Sequence, residues 1–176
     1  MKRPFRYWVT YLWTWPWDIL AWIVVMFVWL VSGTKLHWLG GLWCELKEGS
    51  FITRIWRWGG ITLGHGGVLA PTLAGGDGID TPTEFHEHSV HVEQYETAML
   101  LGFITGWLIF GLSVLCGHEE VGGFIGAGVW FVAWPAVYGV FSIQAWFRGE
   151  NAYRGNSLEE AAYSLTEQWV KKTRGS

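Results

Sequence analysis

The stretch Glu84-Phe-His-Glu-His-Ser-Val-His-Val-Glu-Gln-Tyr-Glu96 runs without interruption into TAMLLGFITGWLIFGLSVLC, residues 97–116. Its thirteen residues hold three of the chain's six histidines and four glutamates, whereas the twenty that follow carry no charge at all. About 20 apolar residues suffice for a helix to cross the hydrocarbon core of a bilayer. The pattern therefore predicts a transmembrane helix whose first, polar turns present a His/Glu cluster at the membrane surface. A second apolar run, Val121–Phe147, follows the short loop Gly117–Glu120, so the two form a hairpin. The outer ends of a hairpin emerge on the same side, which brings the neighbourhoods of His91 and Glu159 together although they are distant in sequence.

Composition agrees with a membrane protein. The charged fraction is 15% and the hydrophobic fraction 51%, against about 25% charged in soluble domains. Fifteen tryptophans fit the bilayer interface, where the ring is buried and the indole N–H stays wet. A net charge of −3 gives no reason to expect nucleic acid. Two cysteines, Cys44 and Cys116, are too few for a disulfide framework and are expected unpaired.

The expected fold is an all-α integral membrane protein. It comprises a transmembrane hairpin (97–116 and 121–147), an N-terminal apolar helix and amphipathic surface helices. Residues 1–33 read as an aromatic interfacial anchor leading into a first apolar helix, Ile19–Val31, which spans only if Leu12–Trp17 is also immersed. Residues 34–96 read as an extramembrane region: a Trp-rich amphipathic stretch over Leu36–Trp58, then a glycine- and proline-rich loop over Gly59–Pro82, with Thr83 as a helix N-cap. Within 97–147, Gly102/Gly106 and Gly122/Gly126 are small-xxx-small pairs suited to close helix packing. Residues 148–176 form an amphipathic helix, with Leu158, Ala161, Ala162, Leu165, Trp169 and Val170 at helical spacing. Arg148, Arg154, Lys171, Lys172 and Arg174 share one side, while loop 117–120 has neither lysine nor arginine. The positive-inside rule then puts the cluster and the C-terminus in the cytoplasm, and it asks the same of Lys2, Arg3 and Arg6. Both ends satisfy it only if the first apolar segment is re-entrant or monotopic; if that segment spans, one end breaks the rule.

The chemistry of the cluster turns on one residue of spacing. A zincin helix uses His-Glu-x-x-His because side chains four apart share a face; two imidazoles then hold Zn²⁺ and the glutamate acts as general base. Here His86 and His91 are five apart, which on a regular helix leaves them roughly 140° apart. A one-residue π-bulge would restore the pair and leave Glu87 as base. In a regular helix, Glu87 with His91, or His88 with His91, would form a mixed site instead. The third reading is a polar interfacial turn that binds nothing. Asn156-Ser-Leu-Glu159 also reads as a helix N-cap with its capping glutamate.

Val90-His-Val-Glu-Gln-Tyr-Glu96, Gly60-Ile-Thr-Leu-Gly-His65 and Tyr153-Arg-Gly-Asn-Ser-Leu-Glu-Glu-Ala-Ala162 together resemble an uncharacterised family of small bacterial membrane proteins. That family's corresponding blocks read His-Glu-x-x-His-Val-x-Gln-Tyr-Glu, Ile-Thr-Leu-Gly-His and Tyr-Arg-x-Asn-Pro-Phe-Glu-x-x-Ala. The family is similar to gluzincins. The resemblance implies Glu159 as third metal ligand with Asn156 beside it, and His65 as a fourth ligand or an orienter of one. It also implies a bacterial inner-membrane location. The chain differs where alignment on Val-His-Val puts Glu87 and His88 in the places of the first histidine and the glutamate, and where Ser157-Leu158 replace Pro-Phe.

Two functions are then expected. The disrupted motif and the aromatic surplus point first to a non-catalytic accessory subunit of a larger bacterial membrane assembly, such as a light-harvesting or respiratory one, partnered by lipid and other membrane subunits and holding no cofactor. The alternative is a membrane-embedded zinc hydrolase, a peptidase, with metal ligands drawn from His65, His86, Glu87, His88, His91 and Glu159 and with Glu87 catalytic.

Overall fold

A computed structural model describes residues 6–38, 41–55, 60–69 and 85–174. In chain order these form α1 (Arg6–Ser32), β1 (Gly33–Trp38), β2 (Leu42–Leu46), α2 (Phe51–Ile55), β3 (Gly60–Leu63) and β4 (Gly66–Leu69). A π-helical turn (Phe85–His91) follows, leading directly into α3 (Val92–Leu115), then α4 (Glu119–Phe147) and α5 (Ser157–Arg174). Three of these segments, Val9–Ser32, Phe85–Leu115 and Glu119–Phe147, are long and apolar enough to cross a membrane. Thr83 and most of the loop after β4 lie outside the described residues. The chain divides into two compact units, Met1–Glu93 with Ala162–Ser176, and Gln94–Ala161.

The first unit corrects the all-α expectation, because residues 33–69 build a four-stranded sheet of order β1-β2-β4-β3. β1 pairs antiparallel with β2, β2 parallel with β4, and β3 antiparallel with β4. No amphipathic helix covers Leu36–Trp58; within it, only the five residues of α2 are helical among those described. Leu36, Leu42, Trp43 and Leu46 fall near helical spacing, but Gly41, Gly66 and Gly67 sit where the sheet's main chains must approach closely, and Gly33 where β1 leaves α1 against Trp29. A Cβ at Gly41 would overlap the His65 carbonyl, and one at Gly66 would press on that of Leu42. β2 hides Trp43, Cys44 and Leu46, so it lacks the alternation that marks a half-exposed strand.

Val25 of α1 packs with Cys44, Leu46 and Val68 into a core flanked by Val28, Trp29 and Ile61. A polar lock reinforces this contact. Thr10, Thr14 and Asp18 recur every four residues, so they share one face of α1, and all three are buried. They meet His65 in the β3–β4 turn. The His65 main-chain N–H donates to Asp18 Oδ1 at 2.9 Å, and its Nδ1 lies 3.0 Å from both carboxylate oxygens. Thr14 Oγ1 donates to Asp18 Oδ2 at 2.7 Å, and Thr10 Oγ1 lies 3.2 Å from His65 Nε2. Such a carboxylate in an apolar helix is tolerable because it is paired and hydrogen-bonded. α1 itself runs through Pro16 for 27 residues, about 40 Å.

In the second unit α3 and α4 form the expected hairpin, turned at Gly117 with φ 72°. The glycine pairs do pack closely. A Cβ on Gly106 would come within 2.5 Å of the Gly126 carbonyl, and the reverse is also true. Gly102 faces Ala133 and Gly122 faces Ser113 in the same antiparallel register.

α5 is amphipathic as expected, but its packed stripe differs. Glu159 and Ala162 are buried and Thr166 and Trp169 half-buried, while Ala161 and Leu165 are exposed. A stripe containing Glu159 and Thr166 escapes a search for apolar periodicity alone.

Two outcomes check this packing. Gly126→Ala should lower the unfolding midpoint of the detergent-solubilised protein, with overpacking costing ~1–3 kcal/mol. Gly128→Ala, where a Cβ meets open space, should leave it unchanged. Burial pushes the Cys44 thiol up to about 12, while Cys116 is exposed and both are free. Maleimide at pH 8 should therefore label Cys116 alone in the folded protein and both after denaturation.

Candidate metal centre

The helix entering α3 is π-wound from Phe85 to His91. A π-turn closes i→i+5 hydrogen bonds, so residues five apart stack on one face. His86 and His91, which an α-helix would separate, meet with ring centroids 4.6 Å apart in an edge-on arrangement. Both are buried.

His86 is oriented from α5. Its Nδ1 lies 3.2 Å from Thr166 Oγ1, and Thr166 donates its own proton to the Ala162 carbonyl at 2.8 Å. Thr166 must then accept from Nδ1–H, which leaves the lone pair on Nε2. Metal-ligating histidines are commonly fixed through the other ring nitrogen in this way. Tyr163 packs on the same ring, centroids 4.7 Å apart, and Phe85 stacks on Trp169 at 5.0 Å.

Glu159 precedes Tyr163 by four residues and Thr166 by seven, so α5 carries all three on one face. Its carboxylate is positioned within the second unit. Tyr138 Oη donates to Glu159 Oε1 at 2.8 Å. Asn156 caps α5, accepting the Leu158 N–H at 2.9 Å, and donates through Nδ2 to Ser142 Oγ at 2.9 Å and to the Tyr138 carbonyl at 3.2 Å. Gln94 holds the same turn by donating to the Leu158 carbonyl at 2.8 Å.

His86, His91 and Glu159 each offer one ligand atom, and these atoms all lie within 4.8 Å of one another. Tetrahedral zinc with ligand bonds of 2.0–2.2 Å places its donors roughly 3.3 Å apart. Two imidazoles and one carboxylate are also a donor set that zinc accepts while keeping a position open. This group could hold a metal ion.

Among the described residues, the other sequence candidates are not in the ligand group. Glu87 is buried, and its Oε2 accepts from Thr62 Oγ1 of β3 at 2.7 Å. His65 belongs to the Asp18 lock and is not in the ligand group. The His88 side chain lies outside the described ones. Sequence reasoning missed Thr166, Tyr138 and Thr62: a hydroxyl among apolar helix residues carries no signal of its own, although Thr62 and Gln94 both fall within the strings quoted above.

No family model, curated protein or solved structure matches this chain.

If this group holds a metal ion, replacing Thr166 by valine should weaken its binding roughly 10–100-fold, the usual cost of losing a partner behind a ligand histidine. Thr166→Ser should bind as the parent does. Competition against a chromophoric chelator measures both.

Proposed function

We propose that the chain is a membrane-embedded zinc-dependent hydrolase acting on amide bonds. The observation that carries this reading is the π-turn. A single inserted residue is what separates His86-Glu87-…-His91 from His-Glu-x-x-His, and π-winding absorbs one residue. His86 and Glu87 then occupy the roles of first ligand and general base, with His91 and Glu159 completing the ligands, as in the gluzincin-like bacterial family that the chain resembles.

Zinc at such a site would supply Lewis acidity to a carbonyl and acidify the attacking water. The chain's own residues supply the rest. Nε2 of His86, presented by the Thr166 contact, and His91 give two neutral donors. Glu159 gives the charged one, turned toward the pair by Tyr138. Glu87, held at Oε2 by Thr62, uses Oε1 to take the proton of the attacking water and hand it to the leaving amine, as a general base turned acid does. Because His86 and His91 lie on the first turns of an apolar helix, substrates would be met at the membrane surface, on the cytoplasmic face of a bacterial inner membrane by the positive-inside argument.

A second reading keeps one observation of its own. α4 leaves Phe124, Trp146 and Phe147 65–84% exposed, which suits lipid or the subunits of a larger membrane assembly in which this chain serves as an accessory piece.

Metal analysis by mass spectrometry of the detergent-solubilised protein separates the two. The hydrolase reading expects near-stoichiometric zinc that disappears in His86→Ala, His91→Ala and Glu159→Ala. Glu87→Gln should keep the zinc and lose roughly 10²–10⁴-fold in hydrolysis of a peptide library. A parent protein free of metal would leave the accessory reading.

A further inference from the structure

We propose that Thr62 is the positioning residue of this centre: it holds the π register and, through it, the aim of Glu87. The inference rests on the hydrolase reading and extends it to a residue outside the ligand set.

Thr62 sits in the middle of β3, paired opposite Gly67 of β4, so its main chain is fixed by the sheet. Its hydroxyl reaches one residue of the π-turn at two points. Oγ1 lies 2.7 Å from Glu87 Oε2 and 2.9 Å from the Glu87 carbonyl oxygen. The single hydroxyl proton is shared between the two acceptors, and because one of them is the main-chain carbonyl the contact restrains the winding as well as the side chain. The far end of the turn is pinned independently, because Val92, the first residue of α3, is buried against Trp43 and Leu69 of the same sheet.

The sheet therefore grips the helix at Glu87 and again at Val92, five residues apart along the chain. If the turn relaxed to α-winding, His86 would swing roughly 140° away from His91. With Val92 held, the rotation would fall on Glu87, and both Thr62 contacts would break. π-turns are rare because α-winding competes with them, and Thr62 adds a shared hydrogen bond that the π register satisfies.

Cobalt(II) provides the probe, because its visible spectrum reports ligand number and geometry directly. The full-length, detergent-solubilised protein is titrated with Co²⁺ as parent, Thr62→Val and Thr62→Ser. The valine variant should bind roughly 10–100-fold more weakly, with altered visible bands, and the serine variant should match the parent. The decisive arm removes the need for the π-turn. Deleting Ser89 leaves His86 and the last histidine four apart, so an ordinary α-helix pairs them. In that background Thr62→Val should change cobalt affinity less than twofold, a coupling between contacting sites.

An unaltered affinity and spectrum in Thr62→Val would overturn the proposal, and so would an undiminished loss in the Ser89 deletion. Should Thr62→Val fail to fold, Thr62→Ala takes its place under the same criteria, circular dichroism certifying the fold. A parent protein that takes up no cobalt would sink the hydrolase reading and this inference with it, whereas a parent that binds cobalt indifferently to Thr62 sinks this inference alone.

Discussion

Two imidazoles five residues apart must face each other, and everything at the candidate centre follows from that constraint. An α-helix cannot satisfy it; one turn of π-helix can, at the cost of less favourable winding. The compensation has to come from outside the helix, and it is visible on the sheet side, where the Thr62 hydroxyl lies against both the carbonyl and the carboxylate of Glu87 and Val92 is buried with Trp43 and Leu69. The sheet is thus more than a cover for α1. It also explains why strands occur in a chain whose composition predicts helices: a strand offers main-chain-fixed hydroxyls at a known height, which a mobile surface helix would not.

The helices were legible because the bilayer length requirement writes itself into composition. A run of twenty uncharged residues fixes α3 almost to its ends, and the glycine pairs at 102, 106, 122 and 126 told how it packs on α4. The sheet was not legible. β2 hides three of its five side chains, so period-2 alternation is absent, and the short apolar run Leu42–Leu46 fits a helix face equally well. Its glycines were the available signal, since Gly33, Gly41, Gly66 and Gly67 interrupt any helix that would join them. The π-turn was legible only as one of three alternatives, because sequence gives the spacing but not the hydrogen bonds that stabilise the rarer winding.

His65 shows how far a motif can mislead about role. It stands in a string shared with the resemblance and looks like a ligand, yet its ring is committed to Asp18 and Thr10. The arrangement has a reason of its own. Asp18 lies in a helix apolar enough to cross a membrane, and a lone buried carboxylate there would be costly. Drawing His65 from the β3–β4 turn onto the Thr10–Thr14–Asp18 face gives that carboxylate its donors and fastens the same hairpin that carries Thr62. The lock and the centre are therefore linked through one short piece of chain, 60–69.

Glu159 reaches its place by a different route, and the comparison bears on whether the cluster is built or accidental. An interfacial glutamate that merely solvates a helix end has no need of partners. This one receives the Tyr138 hydroxyl, and the turn beneath it is tied three times, by Asn156 to Tyr138 and Ser142 and by Gln94 to Leu158. His86 is likewise oriented through Nδ1, by a threonine whose own proton goes elsewhere. A polar turn selected only for the membrane surface would leave such side chains free to choose water. Side chains held at the ring nitrogen and carboxylate oxygen that a ligand does not use are what a metal centre requires, and that economy of donors is the strongest physical argument that the five-residue spacing could serve a metal ion.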